Sequence, residues 1–347
     1  MSDRPKVVFM NQNPTTLEWF YRGPSKERAE ELGWEIVVND TGGPLEPEQW
    51  AEMIADADAI MTTWGSPKLD DTILAESDAE IIAHVGGSVA AYVSDEVFES
   101  GIRVSTANPL MARTVAEHCI MLMLMGLRRA HDHIKLGTRC ETMKHFKDWA
   151  VRVPQDCVIG IWGFGDIASY VLEMLGPFDP KEVLVVSGHL SEEDAAERGM
   201  RLVEFDDLFE QADVVFTLAG MTVANTGRVG EKQLQSMKSG SIIINVGRAP
   251  LIQPDALLAE LQAGRILGIF DVFEKEPLPD DHPFNDLHNV ILSPHYAGTG
   301  RDAHYMAAML DEIERFINGE ELQYEVWASR ARQMTDMGAV REAQKKS

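Results

Sequence analysis

Val158-Ile-Gly-Ile-Trp-Gly163-Phe-Gly165-Asp-Ile-Ala168 places G-x-G-x-x-A directly after one apolar run and before another with helical period. An aliphatic run bounded by glycine reads as a buried strand, and the periodic segment reads as a helix. The first glycine permits a tight turn and the second lets a pyrophosphate approach the backbone. The third position needs only a small side chain for close packing. The helix start then offers backbone N–H groups to phosphate oxygens, so Gly163, Gly165, Asp166 and Ile167 are candidate contacts. A glycine triplet alone is weak evidence, because ordinary turns use the same residues. Its setting between strand and helix, and what lies downstream, give it weight.

Outward from this turn, short apolar runs alternate with helical patterns along most of the chain. Lys6–Asn11, Glu35–Asn39, Ala59–Trp64, Ile81–Val85 and Val104–Ala107 read as strands, with helices at Ser25–Leu32, Pro47–Ala57 and Asp70–Glu76. A second series has strands at Cys157–Trp162, Val183–Ser187, Leu202–Phe205, Asp213–Leu218, Ile242–Val246, Leu267–Val272 and Val290–Leu292. Such repetition implies right-handed crossovers and parallel sheets covered on both faces. The expected fold class is therefore α/β, with two doubly wound parallel-sheet domains. Thr114 to His131 reads as a joining helix, with Thr114 and Glu117 at capping-box spacing. Asp302 to Asn318 has helical period too, and the polar segment 331–347 reads as a loosely held tail.

The chain has 347 residues and a formal net charge of -25. That length suits two ordinary domains, and the charge argues against nucleic acid or anionic membrane as a partner. Cys119, Cys140 and Cys157 lack the C-x-x-C spacing of a zinc or redox site, which fits a reduced, cytoplasmic setting. The N-terminus shows no apolar signal region, and the richest apolar run, Cys119 to Gly126, is too short to span a bilayer. His131 and His133, one residue apart, fall on different helix faces, so no metal site is expected.

Three ionisable groups follow three successive apolar runs: Arg248 after Ser241-Ile-Ile-Ile-Asn-Val-Gly, Glu276 within Asp271-Val-Phe-Glu-Lys-Glu-Pro277, and His295 in Ser293-Pro-His. In an open parallel sheet ligands gather where strands end, so these groups should share one rim. An arginine holds a carboxylate by a two-point hydrogen bond, and an imidazole exchanges a proton near neutral pH. A carboxylate keeps that imidazole oriented and charged. These are the parts needed to reduce a 2-oxo acid. Any one of them alone reads as structural: Arg248 as an ion-pair residue, Glu276 as a solvated acid, His295 as a strand-end histidine.

The second strand of the series ends at Val185-Val-Ser187-Gly-His189. An NAD-selective site places Asp or Glu there, against the ribose hydroxyls. Ser187 removes the repulsion toward a 2′-phosphate, and His189 can hydrogen-bond one. No Arg follows directly, and Glu192-Glu-Asp194 is close. NAD and NADP both stay open.

Together these motifs resemble the D-isomer-specific 2-hydroxyacid dehydrogenases over roughly residues 80 to 325. The likeness includes Val115-Ala-Glu-His118, the glycine turn, Asn245-Val-Gly-Arg248, Asp271-Val-Phe-Glu-Lys-Glu-Pro-Leu-Pro279 and Ser293-Pro-His295. The resemblance implies Arg248, Glu276 and His295 as the catalytic set and Asp271 as a contact of the nicotinamide carboxamide. It adds Ala219, Thr226, Val246, Gly247 and Gly298 to the cofactor contacts, along with Arg248 and His295. It implies that backbone amides at Val85, Gly86 and Gly87 bind the substrate carboxylate beside Arg248. It also implies a Rossmann-like nucleotide domain, 109–299, inserted in a flavodoxin-like substrate domain formed by 1–108 and 300–330, with a hinged cleft and a homodimer. Ala168 and Ala249-Pro250 depart from the family pattern without removing a reacting group. Tyr296, after the histidine, narrows the space for substrate.

His118 reads as a packing or interface residue, and Met121-Leu-Met-Leu-Met125 as core or dimer interface. Trp64-Gly-Ser66 and Asn11-Gln-Asn13 follow strand ends and are candidate substrate-side loops. The favoured function is a glyoxylate/hydroxypyruvate reductase-like oxidoreductase. The alternative is an NAD(H)-sensing binding protein or corepressor on the same fold. A methyltransferase ranks last, because it leaves Arg248, Glu276 and His295 without a task.

Overall fold

A computed structural model describes residues 4–136, 151–336, 338 and 340. Cys140, the His133 side chain and most of the segment after 336 lie outside the described residues. The chain divides into two compact units, Met1–Met111 with Thr299–Ser347, and Ala112–Gly298.

The first unit holds five parallel strands in the order β2-β1-β3-β4-β5. They are β1 (Lys6–Phe9), β2 (Glu35–Val38), β3 (Ala59–Thr62), β4 (Ile81–His84) and β5 (Arg103–Thr106). Successive strand residues point to opposite faces, so each strand feeds two cores. Val8, Ile60, Ile82 and Val104 pack with Trp50 and Ile54 of helix Pro47–Ile54. Val7, Phe9, Met61 and Ala83 pack with Tyr305, Met306, Met309, Leu310 and Ile313 of helix Asp302–Ile317. The late helix thus returns to the sheet built by the N-terminal residues. Beyond it, Arg103 grips Glu325 through two nitrogens, the Nη2–Oε2 bond being 2.7 Å.

The second unit holds seven parallel strands in the order β12-β11-β10-β9-β6-β7-β8. They are β6 (Val158–Trp162), β7 (Glu182–Val186), β8 (Arg201–Leu202), β9 (Val214–Thr217), β10 (Ile242–Asn245), β11 (Leu267–Phe270) and β12 (Val290–Leu292). Connections leave β6 in both directions, which sets a topological switch point between β6 and β9. Covered on both faces, the central strands read as continuous aliphatic runs: β6, β9, β10 and β11 are buried at every residue.

Three local expectations change. The strand expected over Leu202–Phe205 is only Arg201–Leu202, because Phe205 opens a helix to Gln211 and packs edge-on against Trp162 and Phe209. The capping box at Thr114 and Glu117 is not a helix start: the helix runs Asn108–Leu127, which puts both residues inside it. At 20 residues that helix is, by length and composition, long and apolar enough to cross a membrane, unlike the short run visible in the sequence. Half of its most apolar window is buried. A Cβ on its Gly126 would lie 2.9–3.2 Å from Ile269, Ile242 and Leu267 of the sheet, the close approach of a core helix. Cys119 on this helix and Cys157 are free and buried, and burial pushes both thiols up, so neither is an activated nucleophile.

Candidate active site

In the second unit, parallel register aligns Asn245, Phe270 and Leu292 at the carboxyl ends of three neighbouring strands. Arg248, Asp271 and His295 follow these ends by at most three residues, so local sequence places them along one edge. The Asn245 side chain builds the first turn: its Oδ1 accepts from Gly247 N at 3.0 Å and its Nδ2 donates to Arg248 O at 3.0 Å. A Cβ on Gly247 would sit 2.9 Å from Thr217 O, so this turn needs a glycine. Arg248 Nη1 donates to Gly247 O at 2.6 Å, which tucks the guanidinium against its own turn.

Glu276 and His295 meet directly. Glu276 Oε1 accepts from Phe273 N at 3.0 Å, and Oε2 lies 2.6 Å from His295 Nδ1. A carboxylate can only accept, so Nδ1 carries the proton and Nε2 is the nitrogen available for exchange. His295 has φ 51, a left-handed conformation uncommon for a residue with a Cβ. Asp271 is fully buried. Its Oδ1 accepts from the Ser293 hydroxyl and from Tyr296 N at 3.3 Å, and its Oδ2 accepts from Ala297 N at 3.2 Å. His118 joins from the long helix, with Nε2 3.0 Å from Ser293 Oγ. Burial pushes the His118 imidazole down, partly opposed by Asp271. The sequence reads His118 as a packing or interface residue. The signal it lacked is a contact across 175 residues of chain.

At the switch point the glycine turn follows β6. Gly163 has φ 91, and a Cβ there would lie 2.4 Å from Ala219 Cα. Gly163 N donates to Val186 O and Leu218 N donates to Trp162 O, each at 2.8 Å, so the ends of β6, β7 and β9 are stitched together. Gly165 has open space at its Cβ position and is the N-cap of helix Asp166–Leu175, without a side-chain cap. Open space before an uncapped helix start fits a dinucleotide pyrophosphate, which Gly165, Asp166 and Ile167 would hold by backbone N–H groups. Val246 is buried at the end of β10, while Thr226 Oγ1 donates to Thr222 O at 3.0 Å beyond β9. At the end of β7, Ser187 Oγ accepts from His189 N at 3.2 Å. No Arg is adjacent in sequence, yet Arg198 stands over the Phe164 ring, 5.9 Å from its centroid, and Arg228 over Phe205 at 4.2 Å. Helix Glu192–Glu197 separates Arg198 from the β7 end, so no local motif announced it.

In the first unit, the turn Val85-Gly86-Gly87 follows β4. Thr106 Oγ1 reaches the carbonyls of Gly86 and Gly87 at 3.0 and 2.7 Å, while Val85 N donates to Thr62 O at 2.7 Å, so the Val85 amide expected to bind substrate is spent within the sheet. Beneath it His84 is fully buried, bonded to Thr62 Oγ1 at 2.9 Å and stacked on Tyr92, and burial holds its imidazole down at about 3. A Cβ on Gly86 would lie 2.5 Å from His84 Nε2. In the other candidate loops of this unit Gln12 Oε1 is buried with no hydrogen-bond partner among the described residues, whereas the asparagines and Ser66 bond within the chain. Asn11 and Asn39 are mutually bonded, Ser66 Oγ donates to Met10 O at 2.7 Å, and Trp64 packs on Phe20. Among the described residues no group of three or more His, Cys, Asp or Glu could hold a metal ion.

A sheet that gathers phosphate donors and proton-transfer groups along one edge is built for a dinucleotide-dependent dehydrogenase. Comparison narrows the class. The model of the NAD-binding domain of D-isomer specific 2-hydroxyacid dehydrogenases matches residues 120–297. An uncharacterised protein of Corynebacterium melassecola is 33% identical over 307 residues, 84% of this chain and 95% of its own length. Glyoxylate/hydroxypyruvate reductase B of Yersinia pestis (strain Pestoides F) is 28% identical over 324 residues, 91% of this chain and 94% of its own. The solved structure of D-2-hydroxyisocaproate dehydrogenase shares the fold with TM-score 0.74 at 19% identity, covering 93% of this chain and 99% of that one. The chain belongs to the D-isomer-specific 2-hydroxyacid dehydrogenase family and is an oxidoreductase acting on the CH–OH group of 2-hydroxy acids.

Proposed function

We propose that the protein reduces a small 2-oxo acid of the glyoxylate or hydroxypyruvate class, with Arg248, Glu276 and His295 as its catalytic set. When bound, the nicotinamide cofactor supplies the hydride that reaches C2 of the acid. His295 delivers the accompanying proton from Nε2 to the carbonyl oxygen, and takes it back in the reverse direction. Glu276 keeps Nδ1–H engaged, so the ring presents the same nitrogen throughout. Arg248 holds the substrate carboxylate and polarises the carbonyl. Charge then develops against groups already in position. Tyr296, with its ring edge-on to His118, favours a small side chain on the acid. Ser187 in place of an acid and Arg198 at the glycine turn support use of NADPH beside NADH. The single observation that carries the reading is the 2.6 Å pair of Glu276 and His295 on a left-handed backbone.

A panel of 2-oxo acids with NADH and NADPH, followed by absorbance, tests it. Glyoxylate or hydroxypyruvate should turn over faster than bulkier acids, and H295A should lose about 10² or more in turnover, the usual worth of general acid catalysis. Unchanged turnover in H295A refutes the proton role. A Michaelis constant for NADPH far above that for NADH removes the reading of a site that accepts the 2′-phosphate.

A further inference from the structure

We propose that His118 is a positioning residue that holds the His295 loop in place by acting through the Ser293 hydroxyl on the Asp271 carboxylate. The inference rests on the reading of His295 as proton donor. Hydrogen counting sets the direction of the chain of bonds. Ser293 Oγ has one proton and gives it to Asp271 Oδ1, because an ionised carboxylate has none to offer. The same oxygen therefore accepts from His118 Nε2 across 3.0 Å, which fixes the tautomer with hydrogen on Nε2. Burial holds this ring down, so it serves as a neutral donor.

Asp271 passes the constraint on. Besides Ser293 it accepts from the amides of Tyr296 and Ala297, so its bonds bracket His295 on both sides. His295 N also donates to Ser293 O at 3.0 Å, which closes the tight turn. A non-glycine residue at φ 51 persists only where its surroundings over-determine it, and this carboxylate supplies that. His118 and Asp271 side chains are 11% and 1% exposed, so water does not readily replace a lost donor. The His118 ring also lies edge-on to Tyr296, 5.7 Å between centroids, directly behind the loop.

The test uses the full chain with H118L, H118Q, S293A, H118L/S293A and H295A. H118L removes the donor, whereas the Gln amide of H118Q keeps an N–H at a similar reach. H118L should lower kcat for oxo-acid reduction about ten-fold with KM for the acid within two-fold. H118Q should recover most of that loss, and H118L should add nothing in the S293A background, since both act through one hydroxyl. Independently of turnover, amide hydrogen exchange at Tyr296 and Ala297 should quicken in H118L and S293A and return toward the parent in H118Q. The inference is overturned by H118L with parental kcat and exchange, by losses that multiply in the double variant, or by a folded H118Q that recovers nothing. If H295A keeps turnover, or the parent reduces no oxo acid, the functional reading falls while exchange still decides the fastening. An inactive H295A beside a silent H118L removes this inference alone.

Discussion

The two glycine turns, Gly163-Phe-Gly165 after β6 and Gly86-Gly87 after β4, need glycine for different reasons. At Gly163 the constraint is main chain: φ is 91 and the backbone of Ala219 fills the place of a Cβ. At Gly86 the constraint is a side chain, the buried His84 ring. Backbone cannot retreat, whereas a ring can be changed. A glycine thus has one requirement imposed by topology in the second unit and one imposed by a neighbour's identity in the first.

The largest expected effect comes from breaking the main-chain constraint. G163A should destabilise the second unit by about 3 kcal/mol, at the upper end of overpacking with left-handed strain added, as read by urea denaturation. G165A sharpens the contrast, because its Cβ meets only open space: stability should stay within about 0.5 kcal/mol, yet the KM for the nicotinamide cofactor should rise. A G165A protein with parental cofactor affinity would separate that space from the pyrophosphate.

G86A should cost the first unit about 1–2 kcal/mol by pressing a methyl on the His84 ring. In an H84A background most of that cost should vanish, and a double-mutant cycle measures the coupling. Zero coupling would show that backbone, not the ring, limits Gly86, and the contrast between the turns would collapse. Removing the side chain opposite Gly163 offers no such rescue, since Ala219 contributes backbone.

His84 adds a pH dependence to the first unit. Desolvation holds its folded-state value at about 3, below the ordinary 6.5. As pH falls below 6.5 the unfolded chain binds a proton that the folded unit refuses until about pH 3. Stability is therefore lost across that window, at up to about 1.4 kcal/mol per pH unit. H84L should show a shallower loss than the parent between pH 7 and 5 by chemical denaturation. Parallel slopes for the two proteins would place the titration elsewhere.

Much of this molecule is legible from local pattern. Aliphatic runs of four or five residues with glycine or charge at their ends mark strands, because a strand covered on both faces has no polar side to show. The turn at Val158–Ala168 and the placement of Arg248, Asp271 and His295 after strand ends are likewise local, and adjacent strands in register do the rest. The start of helix Asn108–Leu127 was not legible, since Thr114 and Glu117 satisfy a capping pattern inside a helix as well as at its end. Nor was the shortness of β8, where Phe205 is apolar enough to extend a strand but is drawn into a helix by packing on Trp162 and Phe209.

The sequence by itself determined the two parallel α/β sheets, the glycine turn and the identity of the groups at the strand ends, because periodicity and turn chemistry act over a few residues. Only the tertiary structure decided that Arg198 stands at the Phe164 ring, that His84 lies under Gly86 and that His118 reaches Ser293. Such contacts depend on which side chains meet once helices dock on the sheet, and a hydrogen bond between residues far apart in the chain leaves no trace in either local pattern.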